Sequence, residues 1–330
     1  MKILIAGIVM AQEGYEEEQL VKALEKELKK EHTVDTFLLP FTRNFLTLPD
    51  QILVYQLLDA SDCDMLITVG YPACMIEHSN KVVYLFDAAP HFWEYWDSQY
   101  GVLCNNQYLN IRDTVHNIDK KILSTAKKVV CSSNLLAKDL SKRLGIKAET
   151  VYCPALEFEN SSIAADETEK YIMAETSLLP YQRPETLIKV AKNINEYKMK
   201  LFIPNTDIVY METLKKWIEK ENLNERIEII NNPAGNDDYK MASAFICADY
   251  NVRRIPNYLI KAVKAGLPIF AAKDCGAEEE ILNKYNNKKL FSVDNCENIN
   301  DKNIADMNKN NARTVKLENI SSFAERLVEV

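Results

Sequence analysis

The stretch from Asn257 to Leu282, NYLIKAVKAGLPIFAAKDCGAEEEIL, does most to limit what this chain can fold into. Tyr258, Leu259, Ala262 and Val263 recur at helical spacing and make one apolar face. Gly266 stands just past the last periodic residue, where a helix C-cap needs positive φ, and Pro268 stops the helix. Leu267 to Ala272 is a short unbroken apolar run, the pattern of a strand covered on both faces. A polar loop, Lys273 to Ala277, follows the strand's carboxyl end, and Glu278 opens a second helix. This order belongs to an open α/β sheet, whose ligands bind in the crevice beyond the carboxyl ends of the strands.

The same alternation runs through the rest of the chain. Lys2 to Ile8 reads as the first strand, Glu13 to Lys30 as an amphipathic helix buried along Leu20, Val21, Leu24 and Leu28, and Val34 to Leu39 as the second strand. A strand, a helix and a strand in this order make a right-handed parallel unit. Asp64–Val69, Lys81–Phe86, Lys127–Cys131 and Val151–Pro154 continue the strands. Ser132 or Ser133 caps a helix that Gly145 ends. The second half restarts at Tyr171–Glu175 and repeats the pattern, with a helix from Val209 to Glu221 whose Trp217 points inward. Ser321 to Val328 is a closing helix. Two βα-alternating halves in 330 residues predict an α/β protein of two Rossmann-like domains, 1–160 and 161–330, joined by the acidic, Ser/Ala-rich segment Glu157–Glu169.

Composition narrows the function. A net charge of −8 argues against a general nucleic-acid binder, which needs a positive surface to replace counterions. MKILIAGIVM is too short to span a membrane and lacks a signal-peptide cleavage pattern, so a cytoplasmic protein, at most peripheral to a membrane, is expected. The eight cysteines have no C-x-x-C spacing and read as reduced core residues; with four scattered histidines, no metal site is expected. Only eight glycines occur, and neither a G-x-G-x-x-G fingerprint nor a Walker loop is among them.

Ala262, Gly266, Leu267 and Pro268 match, in order and spacing, a pattern from the donor-binding region of family-4 glycosyltransferases, and STAKKVVCSSNLLAKDLSKRLGI resembles the last helix-strand-helix of their first domain. The chain thus resembles that family, which implies the GT-B architecture of two facing Rossmann-like domains, acceptor-binding then donor-binding. The closing helix of this architecture often crosses back to the first domain. The resemblance further implies transfer of a sugar from a nucleotide-diphosphate sugar, with no cofactor beyond that donor substrate and no metal at the chemistry. The acceptor, whether glycan, lipid or protein, is not indicated.

Carried over residue by residue, the resemblance gives a mixed site. The family's first helix begins at a Gly-Gly pair; here Gly14 and Tyr15 stand there, on the acceptor side. A His-Asp pair often ends the fourth strand; here Phe86 replaces the His, Asp87 is kept, and His91 stands four residues on as a substitute, giving Asp87 and His91 as the catalytic candidates. The aromatic segment Asp87–Tyr100 follows, either a packed loop or an acceptor platform through Trp93 and Trp96. Arg183 matches the basic residue that pairs with the donor's diphosphate, with Leu187 at the right spacing and Pro184 in place of Gly; the alternative is a solvated surface arginine. Gly276 and Glu279 fall in the donor loop and the helix after it, whose three acids also suit a helix dipole.

The family's paired glutamates are replaced. Arg253 and Lys261 hold those positions and reverse both charges. A carboxylate accepts from ribose hydroxyls, whereas an ammonium only donates and is better matched to phosphate. Three readings stay open: an active transferase with an altered donor mode, an inactive relative that binds a ligand or partners another protein, and a different reaction on the same fold.

Overall fold

In a computed structural model, residues 1–10, 16–42, 44–101, 106–154, 156, 170–204, 208–310, 315 and 318–329 are described. The chain divides into two compact units. The first comprises Met1–Leu156, Arg253–Ile255 and Leu317–Val330, and the second Glu157–Val252 and Pro256–Lys316. The expected boundary near residue 160 and the whole of the expected linker, Glu157–Glu169, lie outside the described residues.

The first unit runs β1 (Lys2–Met10), α1 (Glu16–Leu28), β2 (Thr33–Phe41), α2 (Leu48–Gln56), β3 (Met65–Val69), β4 (Lys81–Leu85), α3 (Leu109–Ser124), β5 (Lys128–Cys131), α4 (Asn134–Leu144) and β6 (Glu149–Thr150). All its strand pairs are parallel, in the order β2-β1-β3-β4-β5-β6. Alternate residues of the pleat feed two cores. Ile3, Ile5, Ile67, Val82 and Tyr84 pack with Leu20, Val21 and Leu24 of α1, while Ala6, Ile8, Leu66, Val83 and Leu85 pack with Ile52 of α2, Ile122 of α3 and Leu140 of α4. Ser133 is the N-cap of α4, its hydroxyl accepting from the Leu136 N–H at 3.0 Å, and Gly145 ends the helix in the left-handed region at φ 72°. The last strand differs from expectation in place and length: β6 is the two residues Glu149–Thr150, ahead of the expected Val151–Pro154, and of that stretch Val151 continues the pairing through one bond from its N–H to the Cys131 carbonyl.

The second unit runs β7 (Tyr171–Glu175), α5 (Pro184–Lys192), β8 (Lys198–Phe202), α6 (Ile208–Lys220), β9 (Ile227–Ile230), α7 (Asn236–Met241), β10 (Ala244–Cys247), α8 (Asn257–Lys264), β11 (Ile269–Ala272), α9 (Glu278–Leu282), β12 (Lys288–Phe291) and α10 (Asp301–Asn308). Its strands are also all parallel, in the order β12-β11-β10-β7-β8-β9. All four residues of β11 are buried, as its unbroken apolar run requires, and Gly266 has φ 76°. Trp217 departs from expectation: it is 38% exposed, because the buried stripe of α6 runs through Met211, Leu214 and Ile218 and leaves position 217 about 100° off that face. The closing helix α11 (Ile320–Val328) belongs to the first unit, where Phe323, Ala324 and Leu327 join the core beside α1.

Candidate functional site

In the second unit three loops leave the carboxyl ends of the neighbouring strands β7, β10 and β11, and they bring an arginine against three acids. Arg183 ends a 3-10 turn, Pro180–Gln182, and is the N-cap of α5. Its residue is 2% exposed, so it is not the solvated surface arginine of the alternative reading. One guanidinium nitrogen, Nη2, donates to the carbonyl of Asp249 at 2.9 Å and to Oδ1 of Asp274 at 2.7 Å. The Tyr250 ring lies 5.1 Å from the guanidinium carbon, a cation–π contact. Arg183 Nε is buried with no hydrogen-bond acceptor among the described residues.

Backbone strain gathers in the same loops. Leu178, Arg183 and Asn251 have positive φ (59°, 49° and 49°), a conformation that costs a non-glycine residue roughly 1–2 kcal/mol. Gly276, at φ 82°, bridges Val252, and a Cβ there would stand 2.4 Å from the Val252 carbonyl oxygen. Only glycine permits this approach, which fixes the β11 loop against the β10 loop.

Beneath Arg183 lies a buried acid pair. Asp249 accepts from the Tyr258 hydroxyl, and Cys247 Sγ donates to the two carboxyl oxygens of Glu278 at 3.1 and 3.0 Å. Burial pushes the Asp249 carboxyl up to about 6, against the pull of Tyr258 and Arg183. Burial, and then the charge of Asp249, push Glu278 well above the carboxylate range, so Glu278 keeps its proton and donates it toward Asp249. The physical cause is that one nearby arginine cannot neutralise two carboxylates in a dry site. Cys247, Asp249 and Glu278 present donor atoms within 4.8 Å of one another, a set that can hold a metal ion; the thiol, hydroxyl and carboxyl protons also suffice to link them.

The first unit carries a second arginine-acid cluster, at the carboxyl ends of β1 and β4. Arg254 pairs with Glu16, with Glu17 at 3.1 Å and with Asp87 at 3.6 Å, and its guanidinium lies 4.7 Å from the Phe86 ring centre. Burial opposes its charge, but the three carboxylates outweigh that and raise its pKa well above the usual value. Arg253 donates to Asp139 of α4 at 2.5 Å, and its carbonyl accepts from Ser133 Oγ at 2.5 Å.

The aromatic segment is packed. Trp96 is 3% exposed and stacks near Phe92. Trp93 stacks on His116 at 3.6 Å, has the Arg143 guanidinium 5.3 Å from its ring, and donates its indole N–H to the buried Asp119 at 2.9 Å. Tyr71 donates to the other oxygen of Asp119, and burial still raises that carboxyl to about 7. His91 meets the edge of Tyr95 at 5.5 Å.

The predicted residues are therefore divided. Arg183 and Gly276 come together in the second unit. Lys261 lies on α8, one turn beyond Tyr258, with its ammonium 5.9 Å from the Tyr239 ring centre, and Glu279 is exposed in the first turn of α9. Asp87, His91, Trp93, Trp96 and Arg253 belong to the first unit. Gly14 and Tyr15 lie outside the described residues. Sequence reasoning overlooked Asp249 and Glu278. An acid directly after the buried run Ala244–Ala248 was the available signal for Asp249.

A groove of about 570 Å³ in the first unit, lined by Lys127, Lys128 and Lys147 among others, lies at the opposite, amino end of β5. The Lys128 ammonium is already donating to the carbonyls of Arg326 and Glu329 at the end of α11.

Known proteins share this fold. Sucrose-phosphate synthase from Thermosynechococcus elongatus shares the fold with a TM-score of 0.68 at 14% identity, over 89% of this chain and 86% of that one. WaaG, a glycosyltransferase involved in lipopolysaccharide biosynthesis, does so with 0.67 at 9% identity, over 98% and 94%. Anabaena Alr3699/HepE, solved in complex with UDP and glucose, gives 0.65 at 14% identity, over 99% and 95%. No curated protein sequence matches the chain. The sequence pattern of the glycosyl transferases group 1 family matches residues 157–321, half of the chain, and the protein belongs to that family.

Proposed function

We propose that this glycosyltransferase is of the family-4 type and takes its sugar from a nucleoside-diphosphate sugar, with Arg183 holding the diphosphate and Lys261 assisting. The observation that carries this reading is the setting of Arg183. A buried guanidinium, fixed by a carbonyl and an aromatic face, stands at the first turn of α5, where free N–H groups and the helix dipole also favour an anion. Gly276 lets the backbone of the neighbouring loop approach closely, and Glu279 lies in the first turn of the helix beyond it. Cationic side chains neutralise charge building on the leaving diphosphate, so the reading calls for no metal and no further cofactor. HepE has been solved with UDP-glucose; we carry over the ligand class and leave the base open. Asp87 and His91 are the catalytic candidates, in a cytoplasmic or membrane-peripheral protein. No helix among the described residues is long and apolar enough to cross a membrane.

A second reading has its own observation. Asp87 is paired to Arg254, and Arg253, at the position of the family's sugar-contacting acid, is paired to Asp139. With the retained acid and the reversed position both tied up in ion pairs, this reading is of a relative that does not turn a donor over and acts as a ligand-binding or partner subunit.

A thermal-shift panel with UDP, GDP, ADP, CMP and their sugar conjugates, followed by donor hydrolysis, separates the two. A ligand at a hundred times its Kd adds about 2.7 kcal/mol to the folded state. A shift with turnover supports the transferase, and a shift without turnover supports the binding protein. No shift with any nucleotide contradicts the transferase and the nucleotide-binding protein alike and points to the partner subunit.

A further inference from the structure

We infer that Asp274 is an internal competitor for the anion that Arg183 holds, so that a nucleoside diphosphate binds by displacing this carboxylate. The inference rests on the proposed role of Arg183. Its basis is a difference among the partners of one guanidinium. Nη2 donates both to the Asp249 carbonyl at 2.9 Å and to Asp274 Oδ1 at 2.7 Å. The carbonyl leaves the end of a buried strand and cannot move without the sheet. The backbone that carries the Tyr250 ring is also anchored, the Tyr250 amide N–H donating to the Tyr181 carbonyl at 2.8 Å. With the residue itself 2% exposed and its carbonyl accepting from the Thr186 N–H at 2.8 Å, Arg183 is held in place without help from Asp274.

Of these partners, Asp274 alone is built to leave. Its side chain is 50% exposed, against 3% for that of Arg183, so rotation to water costs it little solvation. Its backbone stays behind, because the Asp274 carbonyl accepts from the Asn251 N–H at 2.7 Å and the Gly276 bridge locks the next turn. A diphosphate offers the guanidinium several charged oxygens, and charge-assisted bonds to it replace the single carboxylate contact. Until displaced, the carboxylate keeps a buried cation paired; its cost is a lower apparent affinity for every anionic ligand, set by what the half-exposed pair is worth.

The test is a calorimetric titration of wild type, Asp274→Asn, Arg183→Ala and the double variant with UDP, GDP, ADP and inorganic pyrophosphate, using the tightest ligand. Thermal unfolding of each variant confirms folding. Competition predicts that Asp274→Asn tightens binding roughly two- to fivefold, the worth of a partly exposed ion pair, and that this gain disappears in the Arg183→Ala background. Unchanged or weaker binding by Asp274→Asn overturns the inference and makes Asp274 a positioning residue for Arg183. An equal gain in the Arg183→Ala background overturns it too, because the effect is then only the removal of a nearby negative charge. If Arg183→Ala leaves affinity unaltered, or no ligand binds wild type, the underlying assignment of Arg183 fails as well.

Discussion

Arg254, partly buried, and Arg183, fully buried, both stand among acids at the carboxyl ends of parallel strands, one in each unit, yet their surroundings make them different devices. Arg254 faces Glu16, Glu17 and Asp87 and is saturated, with more negative charge around it than it can neutralise. Arg183 is held by a neutral carbonyl, an aromatic ring and one half-exposed carboxylate. The excess acid near it, Asp249 with Glu278, is quenched by a proton instead of by the guanidinium. A cation spent on fixed carboxylates supports the fold; a cation whose acid partner can leave is free to bind a ligand. Residue type and strand-end position are shared, so neither distinguishes the two roles.

The comparison breaks most readily at Arg254. Replacing it by Ala leaves three carboxylates without their cation, and a loss of about 3–5 kcal/mol in urea unfolding is expected. A loss below about 1 kcal/mol would mean the cluster is solvated and the contrast with Arg183 is unfounded. At Arg183 the larger effect belongs to the ligand: Arg183→Ala weakens nucleoside-diphosphate binding by about 1.5–3 kcal/mol, the scale of charged hydrogen bonds, as read by calorimetry.

The proton in the second unit gives a pH test. Asp249 and Glu278 titrate higher in the folded chain than when unfolded, so the native state binds more protons across the window from about pH 4 to 6 and beyond. Their contribution to stability is therefore full below pH 4 and is lost as pH rises through the folded values, at up to about 1.4 kcal/mol per pH unit for each group. Glu278→Gln keeps a donor toward Asp249 and should flatten that part of the slope. An unchanged slope would show that the pair is not proton-linked. The smallest effect is expected at Ser133, where Ala removes the N-cap bond of α4 and the bond to the Arg253 carbonyl. About 1 kcal/mol should be lost, with no change in nucleotide affinity.

Much of the fold was legible because its signals are local. Gly145 and Gly266 mark helix ends that need positive φ, Ser133 marks a helix start, and the apolar run of β11 marks a strand with no solvent face. Arg183 was legible through the spacing of a family motif. Arg253 and Arg254 were not. They stand in sequence between β10 and α8 of the second unit, and nothing in DYNVRRIPN says that three of those residues belong to the first. The Asp249–Glu278 pair was hidden for another reason. Its members are far apart in sequence and meet because β10 and β11 are neighbours, a fact of sheet order. Trp217 shows the limit of periodicity itself, since one residue of rotation separates the buried stripe of α6 from an exposed indole.

On the proposed reading, Arg183 serves the ligand while the arginine pair at 253 and 254 serves the fold. The most direct test is to titrate a nucleoside diphosphate into Arg183→Ala and Arg253→Ala side by side. The account predicts at least a tenfold loss of affinity in the first and an affinity near wild type in the second. Binding lost in Arg253→Ala and kept in Arg183→Ala would contradict it.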